Sequence, residues 1–245
     1  MNKDETTNLR LDEIGFGSMK IYQDPSDFCY GVDAVILADF ASETKGRNII
    51  DLGCGNGIIP IILSHKLSSA KITGVEIRPN AFELAQLNVK KNDLESRIDI
   101  INSDIKDISL KKGIYDTVVT NPPYMASGSG QTNEDNISKM TARHETTADL
   151  REFIRTASSL LTNRGEFYMV HRPSRTVEII NGLTEYYLQP KILRYVSPKE
   201  GRDPNIMLIK AIKNGGSELK VKAPLYVHKS DDSYTDEIMK IYERG

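Results

Sequence analysis

The chain has 245 residues, of which 39% are hydrophobic and 27% charged, and its formal net charge is −2. That length suits one large α/β domain, no apolar run reaches membrane-spanning length, and the polar N-terminus lacks a signal-peptide core. We therefore expect no membrane contact. The two cysteines, Cys29 and Cys54, lack metal-ligand spacing, so we also expect a cytoplasmic protein with no disulfide or metal site.

Short apolar runs alternate with helical patterns from Asn48 onward. The predicted strands are Asn48–Leu52, Ile72–Ile77, Ile98–Asn102, Tyr115–Thr120, Gly165–His171, Leu193–Val196 and Ile206–Ile212. The predicted helices are Ile58–Lys66, Pro79–Asn92, Ala148–Leu161 and Thr176–Tyr187. This alternation predicts an α/β fold with a seven-stranded, mostly parallel sheet and helices on both faces.

One domain, 1–245, is the simplest organisation, with residues 47–213 as its core and 214–245 as a C-terminal extension. Residues 1–46 predict a short hairpin over Leu9–Gln23, with Gly15 and Gly17 near its turn. An amphipathic helix follows, and the residues predicted to face inward are Val32, Val35, Ile36 and Phe40. The polar stretch Met125–Thr147 is typical of a functional loop or a disordered segment.

A glycine-rich turn, Asp51-Leu52-Gly53-Cys54-Gly55-Asn56-Gly57, joins the first core strand to its helix. Three glycines at alternate positions let the backbone turn tightly and let a ligand lie against the main chain. The dinucleotide fingerprint would need its third glycine at Ile58, and no phosphate-loop lysine follows. The turn therefore predicts a ligand site of another kind.

A second motif, Asn121-Pro122-Pro123-Tyr124, follows the fourth core strand. The two prolines stiffen the backbone, so the carbonyl of Pro122 and the side-chain carbonyl of Asn121 form two fixed acceptors. Two such acceptors suit a planar amino group with two N–H donors. Tyr124 offers a flat face on which a base or an amide can stack.

The two motifs together resemble the Rossmann-like class I S-adenosylmethionine-dependent methyltransferases. The resemblance implies that the glycine turn, Gly53, Gly55 and Gly57, packs against the methionine end of the cofactor, with Asp51 nearby. It implies that Glu76 binds the ribose hydroxyls and that Asp104, followed by Ile105, meets the adenine. A helix N-cap role for Asp104 remains the alternative.

The Asn121 motif resembles the Asn/Asp-Pro-Pro-aromatic signature of methyltransferases that act on adenine, guanine or glutamine amide nitrogen. The implied catalytic residues are Asn121, Pro122 and Tyr124, with Pro123 also against substrate and Asn121 also bordering the cofactor. Hydrogen bonds to both N–H groups hold the amine and favour positive charge developing on nitrogen as it attacks the methyl group. The methylated nitrogen is acidic enough to lose its proton to water, so no strong base is required.

The segment 28–38 and most of the chain are similar to the tRNA adenosine N6-methyltransferases that modify a valine tRNA next to its anticodon. The resemblance implies a tRNA substrate, with Tyr30 and Asp33 near the methionine end of the cofactor and the active-site mouth. Arg143 and His144, in the polar loop, would contact RNA phosphate or base. The alternatives are N-capping and packing for Tyr30 and Asp33, and pinning of the loop for Arg143.

The segment from Leu188 to Lys229 contains nine lysines and arginines against three acidic residues. Such a segment on an otherwise acidic protein predicts a phosphate-binding face, and we predict substrate contacts for Lys199 and Arg202. A solvated lysine surface is the alternative. The oligomeric state stays open, with a monomer as one possibility.

Other functions use similar motifs. Release-factor glutamine N5-methyltransferases normally carry a helical domain before the core, whereas here fewer than fifty residues precede the first core strand. Ribosomal RNA guanine N2-methyltransferases usually have a second domain, and DNA adenine methyltransferases need a recognition region for which there is little room. A cofactor-binding RNA-binding protein without catalysis is the alternative from a different class.

Overall fold

A mixed β-sheet forms the centre of the computed structural model, which describes residues 9–27, 29–108, 110–124 and 149–244. The hairpin strands are β1 (Arg10–Glu13) and β2 (Lys20–Gln23). The sheet strands are β3 (Asn48–Leu52), β4 (Lys71–Glu76), β5 (Ile98–Asn102), β6 (Tyr115–Thr120), β7 (Leu161–His171), β8 (Leu188–Ser197), β9 (Ile206–Lys213), β10 (Lys220–Val221) and β11 (Leu225–Tyr226). The helices are α1 (Val32–Ala41), α2 (Ile58–Lys66), α3 (Pro79–Lys91), α4 (Leu150–Leu160), α5 (Thr176–Glu185) and α6 (Asp236–Ile241).

The sheet has the strand order β10-β8-β9-β7-β6-β3-β4-β5, and β11 also pairs with β8. Strand β9 runs antiparallel to both of its neighbours, and the other pairings are parallel. The predicted α/β class and all seven predicted strands are confirmed. The predicted number of strands is wrong, because the sheet has nine strands among the described residues. The additional strands, β10 and β11, have two residues each, which is too short to show the alternating pattern of a strand.

Two predicted strand boundaries are also corrected. Strand β7 starts at Leu161 and not at Gly165, because the residue after α4 already has extended backbone angles (φ −67°, ψ 141°). Strand β8 starts at Leu188 and not at Leu193. Its register shifts between Pro190 and Ile192, where proline has no N–H to donate, and this irregularity breaks the alternating pattern.

Helices cover both faces of the sheet. Consecutive residues of β3, Ile49 and Ile50, are fully buried in two different apolar clusters, one on each face. Helices α1, α2 and α3 contribute to the cluster of Ile49, and α4 and α5 to that of Ile50. None of the helices in the described part of the chain is both long and apolar enough to cross a membrane.

The prediction that α1 is amphipathic is wrong. Its buried residues lie around most of its circumference and are Ala34, Val35, Ile36, Leu37, Ala38, Phe40 and Ala41. The helix packs against α2, β7, β9 and α6, so apolar partners surround it. Val32, which we predicted to face inward, is only half-buried.

Two asparagines, one within α3 and one directly after it, attach the N-terminal hairpin to the core. The side chain of Asn92 bonds both backbone groups of Lys20 (2.9 and 2.7 Å), and that of Asn88 bonds both backbone groups of Tyr22 (2.6 and 3.0 Å). These side-chain amides bond the backbone of β2 in the way that a neighbouring strand would. The Asn88 amide also donates to the carbonyl oxygen of Asn56 at 2.9 Å, which ties the hairpin to the glycine turn.

The parallel strands place the predicted functional residues at one edge of the sheet. Strands β3, β4, β5, β6 and β7 all end at that edge, because each is parallel to its neighbour. The glycine turn, Glu76, Asp104 and Asn121 follow or end these strands. Ligands bind open α/β sheets in this location.

Candidate active site

The glycine turn after β3 depends on the freedom of glycine. Gly53, Gly55 and Gly57 have φ values of 77°, 56° and 85°, in the left-handed region that other residues rarely adopt. The backbone N–H groups of Gly53 and Cys54 both donate to the carbonyl oxygen of Val75, at 2.8 and 2.9 Å. The turn therefore folds against the end of β4 and fixes the position of Gly55.

Gly55 faces open space. A Cβ atom built on Gly55 would meet no heavy atom within 4 Å, whereas one on Gly57 would contact Ala85. The backbone N–H of Gly55 donates to Oε2 of Glu76 at 2.8 Å. The open side of the turn leaves room for a ligand to lie directly on the main chain.

Glu76 is held in one orientation at the end of β4. It is 5% exposed, and its Oε1 accepts from the backbone N–H and the Nε of Arg78, at 2.9 and 3.3 Å. Because each carboxylate oxygen offers two lone pairs, Oε2, which accepts only from Gly55, has capacity for a further hydrogen bond. The side chain is thus fixed beside Gly55 and can still accept from a ligand hydroxyl.

Asp51 is fully buried, and neither of its carboxylate oxygens has a donor among the described residues. Burial, with a smaller contribution from the charge of Glu76, raises the pKa of Asp51 well above its usual range. Buried polar groups without partners are rare in folded proteins. Two unpaired oxygens beside an open glycine turn point to a ligand that brings its own donor.

Asp104 lies in a local turn after β5. Its Oδ1 accepts from the backbone N–H of Lys106 at 2.9 Å, and 22% of its side chain is exposed. Ile105 is buried in the core. The helix N-cap alternative for Asp104 is wrong, because the described residues after it form a turn and no helix begins there. The contact of Asp104 with adenine stays a prediction.

The side chains of Asn121 and Tyr124 converge on a single carboxylate oxygen. The Nδ2 of Asn121 donates to Oδ2 of Asp33 at 3.3 Å, and the hydroxyl of Tyr124 donates to the same oxygen at 2.6 Å. Because a carboxylate only accepts, the amide nitrogen must face Asp33. The Oδ1 atom of Asn121 is left as the acceptor for a substrate. Within the motif, Pro122 is buried and Pro123 exposed.

The ring of Tyr124 rests against the end of β7. Burial, with the nearby charge and hydrogen bond of Asp33, raises the pKa of Tyr124, so its hydroxyl stays protonated and donates. The ring of His171 lies 5.2 Å away, tilted by 54°. Burial, with smaller contributions from neighbouring charges, lowers the pKa of His171 to about 4, so this ring is neutral near pH 7. Tyr124 is thereby fixed from two sides.

A cavity of about 510 Å³ lies beside Tyr124. It is lined by Asp33, Tyr124, Arg172, Pro173, Ser174, Pro204, Asn205 and Ile206. Sequence reasoning missed the segments 172–174 and 204–206. A polar run directly after a strand of the same edge is the signal that could have found the first of them.

The structure brings Asp33 to the motif but places Tyr30 beside the hairpin. The N–H of Tyr30 donates to Oε1 of Gln23 at 3.0 Å. Its charged neighbours are Asp12, Arg10 and Arg244, and burial raises the pKa of its hydroxyl. The observed contacts of Tyr30 therefore fit a role in packing, which was the alternative to its predicted place near the cofactor.

The basic segment is largely neutralised by the protein itself. Its ion pairs are Arg194–Glu237, Lys199–Asp232, Lys210–Glu166, Lys222–Glu43 and Lys229–Asp236. Lys191 and Lys213 donate to backbone carbonyls. Arg202, in contrast, is exposed in the loop 198–205, which joins β8 to β9 at the active-site edge. Arg143 and His144 lie outside the described residues.

Comparisons with known proteins agree with these motifs. The family model described as "Methyltransferase small domain" matches residues 19–190. The tRNA1(Val) (adenine(37)-N6)-methyltransferase of Porphyromonas gingivalis W83 is 29% identical, over 82% of this chain and 80% of the relative. The Aeromonas hydrophila protein of the same name is 26% identical, over 86% of this chain and 87% of the relative. The structure of a predicted O-methyltransferase from Agrobacterium tumefaciens has a TM-score of 0.71 at 23% identity, covering 87% of this chain and 97% of that chain.

Proposed function

Because the chain belongs to the methyltransferase small domain family, we propose that it methylates the N6 atom of an adenosine in tRNA, using S-adenosylmethionine. The observation that carries this proposal is the convergence of Asn121 and Tyr124 on Asp33 beside a cavity. The names of its relatives favour the adenosine next to the anticodon of a valine tRNA. We place the protein in the cytoplasm on the same ground.

The residues at the glycine turn fit this cofactor. The unpaired oxygens of buried Asp51 suit its amino group, the open side of Gly55 admits its methionine end, and Glu76 can accept from its ribose hydroxyls. Asp104 and Ile105 would border its adenine. When bound, S-adenosylmethionine supplies a methyl group on a positively charged sulfur.

We assign Asp33 to the substrate side of the site and not to the cofactor. Its Oδ2 atom accepts from both Asn121 and Tyr124. Because the amide nitrogen of Asn121 is bonded to Asp33, the amide oxygen is the end that meets the substrate. The Oδ1 of Asn121 and the carbonyl of Pro122 would then accept the two N–H groups of the target amine. Pre-positioned acceptors stabilise the positive charge that develops on nitrogen and cost no reorganisation during the reaction.

A labelling experiment tests this function against its alternatives. Purified protein and methyl-labelled cofactor are incubated with separate pools of unmodified tRNA, ribosomal RNA, duplex DNA and release factors. We expect label in tRNA only. Label in DNA, ribosomal RNA or protein but not in tRNA would contradict the substrate and leave methyl transfer standing. No label in any pool would contradict catalysis.

Charge reversal at the loop 198–205 is expected to weaken tRNA binding, mainly through Arg202. Lys199 already pairs with Asp232 at 2.6 Å, whereas Arg202 is exposed without an ion pair among the described residues. We expect Arg202→Glu to lower the slope of log affinity against log salt by about 0.7–0.9 per lost phosphate contact, and Lys199→Glu to lower it less. An unchanged slope in a variant that carries both Lys199→Glu and Arg202→Glu would mean that this loop is only a solvated surface.

A further inference from the structure

Arg172 lies at the rim of the cavity beside Tyr124, and its side chain has no role in the chemistry described above. It follows β7 directly, and Pro173 after it favours an extended backbone, observed as φ −76° and ψ 141°. Its backbone N–H donates to Nδ1 of His171 at 2.8 Å. The main chain of Arg172 is therefore anchored on a buried ring while its side chain is exposed.

The guanidinium of Arg172 has no carboxylate partner among the residues that the structure describes. It lies 5.7 Å from the centroid of the Tyr124 ring, above its face. Its neighbour Arg175 is engaged differently, because both of its hydrogen-bonding nitrogens contact Glu178. An arginine that is unpaired at the rim of a cavity keeps its full set of planar donors for an incoming anion.

The shape of adenosine places its phosphate at this rim. The N6 amine and the N9 atom that carries the ribose are at opposite ends of the purine. With the amine at Asn121 and the base against Tyr124, the ribose and phosphate must point toward the mouth of the cavity. Arg172, Ser174 and Asn205 line the cavity, and because all three are exposed we place them at its mouth.

We infer that Arg172 binds a phosphate of the target nucleotide and so holds the extruded adenosine in the cavity. The inference rests on the proposed function and adds a substrate contact to it. A bidentate contact to one phosphate would draw the guanidinium off the ring face of Tyr124 that it covers in this structure, and would hold the base beside Tyr124. Extruding a base from its stack costs free energy, and a phosphate contact at the mouth stabilises the extruded state.

The test compares Arg172→Gln and Arg172→Lys with Arg47→Gln. Arg47 is a matched control, because it is exposed and precedes β3 at the opposite edge of the sheet. The measurements are affinity for an unmodified valine tRNA transcript at several salt concentrations, KM for the same RNA, and affinity for S-adenosylmethionine. Thermal unfolding checks that each variant is folded.

We expect Arg172→Gln to weaken tRNA binding and raise KM about tenfold, and to lower the salt slope by about 0.7. Arg172→Lys should keep the salt slope, and cofactor affinity should be unchanged in all variants. Equal behaviour of Arg172→Gln and Arg47→Gln, with an active wild type, would overturn this inference alone. Loss of affinity in both Arg172 variants with an unchanged slope would also overturn it, since that indicates packing on Tyr124. A wild type that neither binds nor methylates tRNA would overturn the proposed function as well.

Discussion

Replacing Asn121 with alanine is expected to lower the single-turnover rate of methyl transfer on the order of 10²–10³-fold. The reason is that Oδ1 of Asn121 is the acceptor left facing the substrate once Nδ2 is bonded to Asp33. Affinity for S-adenosylmethionine should change little, because this contact is made to the target amine. Rapid-quench measurement with labelled cofactor and saturating tRNA gives the rate, and titration calorimetry gives the affinity.

Asn205→Ala is a suitable comparison for this variant, because Asn205 lines the cavity beside Tyr124 but lies outside the Asn-Pro-Pro-Tyr motif. Its rate should stay much closer to that of the wild type. A near-normal single-turnover rate for Asn121→Ala would refute the hydrogen-bonding mechanism. An equal loss of rate in both variants would indicate that the cavity had collapsed, which thermal unfolding would also detect.

Glu76→Ala is expected to weaken S-adenosylmethionine binding at least tenfold. Hydrogen bonds to a charged partner contribute about 1.5–3 kcal/mol, and one tenfold step in affinity corresponds to about 1.4 kcal/mol. The variant also removes the acceptor that holds the N–H of Gly55 at 2.8 Å. Thermal unfolding checks that the variant stays folded.

The control for this prediction is Glu83→Ala, which removes the same charge from an exposed position on α3. Its affinity for the cofactor should match that of the wild type. Titration calorimetry on both variants measures the difference directly. Equal affinities in Glu76→Ala and Glu83→Ala would remove Glu76 from the cofactor site.

The parts of the site that follow strand ends could be predicted from the sequence. The glycine turn and the Asn-Pro-Pro-Tyr motif are local patterns, and parallel strands bring their carboxyl ends to one edge. Their mutual position therefore followed once the alternation of strands and helices was recognised. The hydrogen bond from Nδ2 of Asn121 to Asp33 leaves Oδ1 available as the predicted acceptor, and its contact with substrate stays a prediction.

The rest depends on partners that are distant in the sequence. Lys222 pairs with Glu43, and Arg194 pairs with Glu237. Such ion pairs occupy most of the positive charges of the basic segment, and no local sequence pattern indicates them. The burial of α1 is set by apolar neighbours on several sides and not by its own period. Arg172 was missed for the same reason, since only the fold places it over Tyr124.

The central claim is tested most directly by mass spectrometry of nucleosides from purified valine tRNA of cells with and without this protein. We expect N6-methyladenosine to be present in the first tRNA and absent from the second. Wild-type protein should restore it, and the Asn121→Ala variant should not. Equal amounts of N6-methyladenosine in valine tRNA from both cells would contradict the proposed function.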